Sequence, residues 1–115
     1  MAIESAGDQA LLADAWFANA WTIGASGSDA APFYHEFYVN HPEHPRAAEA
    51  LWEAAVASEH AGNWTQAASY YALLAEKYPS DDRAGDAAFR QGLAYYASGD
   101  AYTASTTWRE RLDVT

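Results

Sequence analysis

The sequence predicts an all-α fold, a right-handed solenoid of three helix–turn–helix units with about six helices. Three observations carry this. A single offset of 37 positions aligns punctuation and core residues together, pairing Pro42 with Pro79, Arg46 with Arg83, Ala50 with Ala87, Trp52 with Phe89, Val56 with Leu93, Gly62 with Gly99, Ala67 with Ala104 and Tyr71 with Trp108. Within each unit the apolar residues recur at spacings of three and four, the period of a helix face. Alanine, the best intrinsic helix former, is abundant and alternates with large aromatics, a composition suited to closely packed helices. The chain reads as one domain, residues 1–115, with units at approximately 8–42, 46–79 and 82–112.

In the first unit, Leu11, Leu12, Ala15, Trp16, Asn19 and Ile23 suit one helix, and Phe33, Phe37 and His41 the next. The Gly24–Ser28 stretch is a longer, softer turn than its counterparts downstream, and the unit reads as a degraded copy. Asp29 is placed to cap the second helix, with Pro32 tolerated in its first turn. The Pro-flanked run 41–45 breaks the chain. In the middle unit Leu51, Trp52, Ala55, Val56 and Glu59 form one stripe, and Gly62 ends the helix where the backbone turns left-handed. Asn63 and Gln66 have capping-box spacing. Ala67, Tyr70, Tyr71, Leu74 and Tyr78 make the second stripe, closed by Pro79. In the third unit Ser80, Asp81 and Asp82 offer caps and negative charge to a helix start. Phe89, Gly92, Leu93 and Tyr96 form its first stripe, and Tyr102, Ser105, Trp108 and Leu112 its second. Gly92 costs about 1 kcal/mol against Ala within a helix, so it marks a close helix–helix approach.

The charge is strongly acidic: 16 Asp and Glu against six Lys and Arg, a formal net charge of −10. No Lys or Arg precedes Arg46. Such a surface gains nothing from counterion release on nucleic acid and is repelled by an anionic membrane. The charge keeps an aromatic-rich domain soluble, or it forms an acidic face for a basic partner. With no cysteine, neither a disulfide framework nor a thiolate metal site exists. Met1 is followed by Ala-Ile-Glu-Ser, which lacks the regions of a signal peptide. No apolar run approaches the ~20 residues of a membrane-spanning helix.

The span 48–79, with small residues at Ala55 and Ala67, Gly62-Asn63 before Trp64, Tyr71 and a closing Pro79, resembles a tetratricopeptide repeat. Residues 85–112 are similar, through Gly92, Tyr95, Gly99-Asp100, Ala104 and Trp108. Tyr78-Pro79-Ser80 together with the run 87–96 resembles the subgroup of bacterial envelope proteins that includes outer-membrane assembly lipoproteins and the helical arm of soluble lytic transglycosylases. The 37-residue period departs from the usual one of about 34. The resemblance implies a non-catalytic interaction or scaffold module, in the periplasm or cell exterior, with cytoplasm also compatible. The first helix of each unit would line a concave groove for a protein or peptide. Carried over position by position, that groove is Glu49, Trp52, Val56, Glu59, Asp86, Phe89, Leu93 and Tyr96. Aromatics ringed by carboxylates suit a basic or amphipathic segment, although Trp52 and Phe89 read more readily as core, since large aromatics at helical spacing usually are.

No polar capping element follows the last aromatic helix, so Trp108 and Leu112 form a candidate stacking end. The chain would then be cut from a longer protein, stack on other copies as oligomers or an extracellular filament, or leave a small apolar patch. His35, His41 and His44, with Glu36 and Glu43 nearby, lack the spacing of a metal site, and none is expected. No nucleophile, phosphate loop or acid–base constellation can be assembled, so no catalytic residue and no cofactor are expected. The third reading, the arm of an envelope enzyme, would place catalysis outside this chain. Asn63-Trp64-Thr65 is a glycosylation sequon on a turn, in competition with the capping role of Asn63.

Overall fold

The computed structural model describes the backbone of residues 6–112 and the side chains of residues 10–110. Six helices follow in order, α1 (Ala6–Ala25), α2 (Ala31–Asn40), α3 (Ala47–His60), α4 (Trp64–Lys77), α5 (Ala84–Ala97) and α6 (Ala101–Leu112), with no strand among the described residues. The fold is all-α and repetitive. Its extents of 52 × 32 × 17 Å and radius of gyration of 15.1 Å exceed the ~13 Å of a compact chain of this length. That elongation is what stacking of units produces.

The turn inside each unit is the same piece of chemistry. Gly27, Gly62 and Gly99 have φ of 94°, 76° and 94°, a region open to glycine at no steric cost. Around each of them two N–H groups return to the end of the preceding helix. Gly62 N and Asn63 N bond Glu59 O and Ser58 O, Gly99 N and Asp100 N bond Tyr96 O and Tyr95 O, and Gly27 N and Ser28 N bond Gly24 O and Ile23 O. This is the Schellman arrangement, which satisfies carbonyls the helix end would otherwise leave open. Asn63 then caps α4, its side chain accepting from Gln66 N. The reciprocal bond of the expected capping box runs amide to amide, from Asn63 Nδ2 to Gln66 Oε1 at 3.2 Å, because Gln66 Nε2 donates to the buried Ser58 hydroxyl at 2.9 Å.

The turns between units also repeat. Arg46 N donates to His44 Nδ1 at 3.0 Å, and 37 positions on Arg83 N donates to Asp81 Oδ1 at 2.8 Å. Imidazole and carboxylate thus do the same job. Asp81 therefore holds the connecting turn, and α5 begins at its N-cap Arg83 with no side-chain cap, contrary to the cap expected there. Asp29 behaves likewise, accepting from Ala31 N while the N-cap of α2 is Ala30.

Two packed clusters form the core, and α3 straddles them. Ala50 and Ala54 face Phe17, Tyr34 and Phe37, whereas Leu51 and Ala55 face Ala67, Tyr71, Leu74 and Ala87. Alanines at the contacts let the helices approach closely, and Phe37, Leu51, Tyr71 and Leu74 fill the space between them, fully buried. Gly92 is where that approach is tightest: a Cβ there would overlap the Trp108 indole, whose Nε1 donates to Phe89 O at 2.9 Å. The expected reason for a mid-helix glycine holds.

Three expected stripes are displaced. On α1 the buried residues are Ala13, Phe17 and Ala20, while Leu11 is 68% exposed and Ala15 and Asn19 are exposed. This helix is apolar on nearly every side, so spacing alone does not choose a face. On α5 alanines and Gly92 face inward, with Phe89, Leu93 and Tyr96 outward. On α6 Ala104 and Thr107 are buried while Tyr102 is 83% exposed and Ser105 exposed. The last pair has no following unit among the described residues to cover its outer side.

Gly92→Ala is expected to destabilise the fold by about 1–2 kcal/mol, overpacking against Trp108 outweighing the gain in helix propensity. Urea unfolding measures this, and a stabilised variant would mean that the indole does not sit on Gly92.

Candidate functional site

The side chains that join one unit to the next determine which surfaces remain free. In every unit an aromatic of the first helix packs on an aromatic of the second. Phe17 meets Tyr34 edge-on at 5.5 Å, Trp52 meets Tyr71 edge-on at 5.4 Å, and Phe89 stacks on Trp108 at 5.7 Å. A guanidinium from the next unit then covers the first-helix ring, Arg46 over Phe17 at 4.0 Å and Arg90 over Trp52 at 5.2 Å. Within about 6 Å of the ring this is a favourable cation–π geometry.

Acids hold these arginines in place. Arg46 bonds both carboxylate oxygens of Glu49 at 2.9 Å and Asp14 at 2.8 Å. The Arg46 hydrogen bonds hold the Glu49 carboxyl below its ordinary range, against the opposing effect of burial. Arg90 reaches Glu59 at 3.2 Å, and Glu59 also accepts the Tyr71 hydroxyl. Burial first, then that bond, pushes the Tyr71 hydroxyl far up, so it stays a donor.

Between α1 and α3 lies a cleft of about 510 Å³, lined by Ala20, Trp21 and Gly24 of α1, Ser28 and Asp29 of the turn, Tyr34 of α2, and Glu53, Val56, Ala57 and His60 of α3. Trp21 is 70% exposed there. Glu53 is half-buried and has no hydrogen-bond or ion-pair partner among the described residues. Burial, then the neighbouring Glu49 charge, raises its carboxyl pKa, with Arg83 and Arg46 opposing. Tyr34 is shifted upward too, by burial and then by Glu53 and Glu49. The cleft therefore combines an apolar wall with a carboxylate that Arg46 and Arg83 offset only from a distance, with no ion pair to it among the described residues.

The sequence-derived groove residues separate into three groups. Trp52 and Glu59 are engaged in contacts between units, and Glu49 holds Arg46 of its own unit in place. Val56 lines the cleft. Asp86, Phe89, Leu93 and Tyr96 lie exposed on α5. Trp108 sits against Gly92 and Phe89, and the Leu112 side chain lies outside the described residues. Asn63 is exposed, with its side-chain amide committed to Gln66. The histidines belong to aromatic contacts: His35 packs beside Tyr38 and Tyr70, while His41 and His44 flank Phe37.

Trp21 and Glu53 were not among the residues the sequence singled out. Gly27 and Gly62 are 35 positions apart, so the first helix of unit one follows an offset of 35, not 37. That register sets Phe17 opposite Trp52, Asp14 opposite Glu49 and Trp21 opposite Val56. Aligning the turn glycines would have revealed it. The first unit is two residues shorter than the others between its turn glycine and the aromatic of its second helix, with seven positions from Gly27 to Tyr34 against nine from Gly62 to Tyr71.

Residues 49–81 match the family profile described as Tetratricopeptide repeat. With six helices stacked in pairs around them, the chain is a tetratricopeptide-like helical repeat protein. No curated protein and no solved structure matches it. Repeats of this family serve in general as protein–protein interaction or scaffold modules and are generally non-catalytic.

Because the Glu53 pKa is raised on folding, ionised Glu53 costs stability at neutral pH, a cost removed as pH falls through that raised value. Glu53→Gln is therefore expected to raise Tm at neutral pH, with the gain shrinking as the solution is acidified. Thermal unfolding as a function of pH measures it, and a loss of stability at neutral pH would contradict the assignment.

Proposed function

We propose that this chain is an adaptor whose cleft between α1 and α3 holds a basic, amphipathic segment of a partner protein. The observation that carries the reading is Glu53, a half-buried carboxylate without a partner, lining the same cleft as the exposed Trp21. A Lys or Arg entering the cleft supplies the missing charge, and an apolar neighbour covers Trp21 and Val56. Asp29, also on the rim, extends the acidic side. The long stretch before Arg46 without any basic residue adds attraction at longer range, which steers a cationic segment toward this end of the stack. Glu49, Trp52 and Glu59 support the site from behind by holding α3 against its neighbours, and Val56 contacts the ligand. Compartment follows only from the likeness to envelope proteins, which favours the periplasm or cell exterior for such an adaptor.

Selection from a random peptide display library against the purified chain tests this. Recovered peptides are expected to carry Lys or Arg beside a large apolar residue. Glu53→Gln is expected to weaken them roughly tenfold, the scale of a hydrogen bond to a charged group. Trp21→Ala should weaken them as well, and Val39→Ala, an exposed site outside the cleft, should not. Binding should also decline as pH falls through the Glu53 pKa, because the protonated acid no longer attracts a cation. Peptides without basic residues, or binding indifferent to Glu53→Gln, would overturn the proposal.

A further inference from the structure

Among the described residues the ring on the first helix of a unit is covered by a guanidinium of the next unit twice and left open once. On the first helix of each unit an acid precedes the aromatic by three residues: Asp14 and Phe17, Glu49 and Trp52, Asp86 and Phe89. Arg46 takes both Asp14 and Phe17 from the second unit. At the second joint Arg90 of the third unit covers Trp52, while Glu49 is bonded by Arg46 of its own unit and feels Arg83 only as a weaker electrostatic pull. Asp86 and Phe89 present the same acid and ring, with the ring already stacked on Trp108 as its counterparts are packed on Tyr34 and Tyr71. Among the described residues no guanidinium stands over Phe89 and no cation pairs with Asp86. Phe89 is 48% exposed, and Leu93 and Tyr96 continue the open face beside it.

We infer that the C-terminal end of the stack is a docking surface for an arginine-bearing helix of a partner protein, seated on Phe89 and Leu93 with its guanidinium between Phe89 and Asp86. The docking side of that helix is small-residue rich, as the alanine side of α5 is where it covers Trp52. Head-to-tail stacking of a second copy does not meet this requirement, since residues 1–45 contain no Lys or Arg; it would set an acidic end against Asp86. The surface is separate from the cleft between α1 and α3, and neither proposal depends on the other.

The probe is a synthetic peptide with the sequence of residues 81–98, lactam-bridged on its solvent face so that it is helical before binding, added to the full chain and followed by NMR. Shifts are expected at Asp86, Phe89, Leu93 and the Trp108 indole, with Trp21 and Glu53 unmoved. Replacing both peptide arginines by Gln should weaken binding roughly fivefold or more, a cation–π contact plus an exposed ion pair. Asp86→Asn in the chain, at an exposed position where folding is not at stake, should weaken it in the same direction. Absence of shifts at these residues at millimolar peptide, or equal binding of the Gln peptide, would overturn the inference. So would a concentration-dependent dimer in light scattering that protects Phe89 and Asp86, because a second copy would then be the occupant.

Discussion

The structure depends on a three-part joint: an aromatic pair within one unit and a guanidinium from the next. A helical hairpin of this size leaves one side of its core open, and stacking is what closes it. Here closure falls on large rings, each packed edge-on against an aromatic of its own unit and covered by an arginine of the next. Phe17 packs on Tyr34 and Trp52 on Tyr71, and Arg46 and Arg90 cover the two first-helix rings. The alanine contacts beneath allow the approach, and the acids Asp14, Glu49 and Glu59 fix the guanidinium in register.

This joint also explains the charge of the surface. Of six basic residues, Arg46, Arg83 and Arg90 lie at boundaries between units, where they answer acids of the preceding unit. What remains outside is strongly acidic. The cleft between α1 and α3 inherits that imbalance: it contains Asp29 and Glu53 and no Lys or Arg. An acidic surface of this kind gains nothing from counterion release on nucleic acid. No helix among the described residues is long and apolar enough to cross a membrane.

The fold was legible because its signals are local and repeated. Gly62 and Gly99 announce their turns through the one conformation only glycine adopts freely, and Gly92 announces the approach of Trp108. The faces of α1 and α5 were not legible. Alanine lines both sides of these helices, so period alone does not separate the buried side from the exposed one, and the largest residues of α5 lie on the side that no described unit covers. The site was harder still. Glu53 is acidic in the middle unit only, where the other units have Ala18 and Arg90, so no repeat pattern points to it. Its importance arises from burial without a partner, which is a property of the folded chain. Trp21 was hidden by the 35-residue offset of the first unit.

The central claim is that ring and guanidinium act together across the boundary, and a double-mutant cycle on Phe17 and Arg46 tests it most directly. Phe17→Leu, Arg46→Gln and the double variant would be compared by urea unfolding, with Phe17→Leu and Arg90→Gln, which belong to different joints, as the control pair. The account predicts a coupling of about 1 kcal/mol for Phe17 with Arg46 and additivity for the control pair. Additive losses at Phe17 and Arg46 would contradict it, and the units would then be held by alanine packing alone.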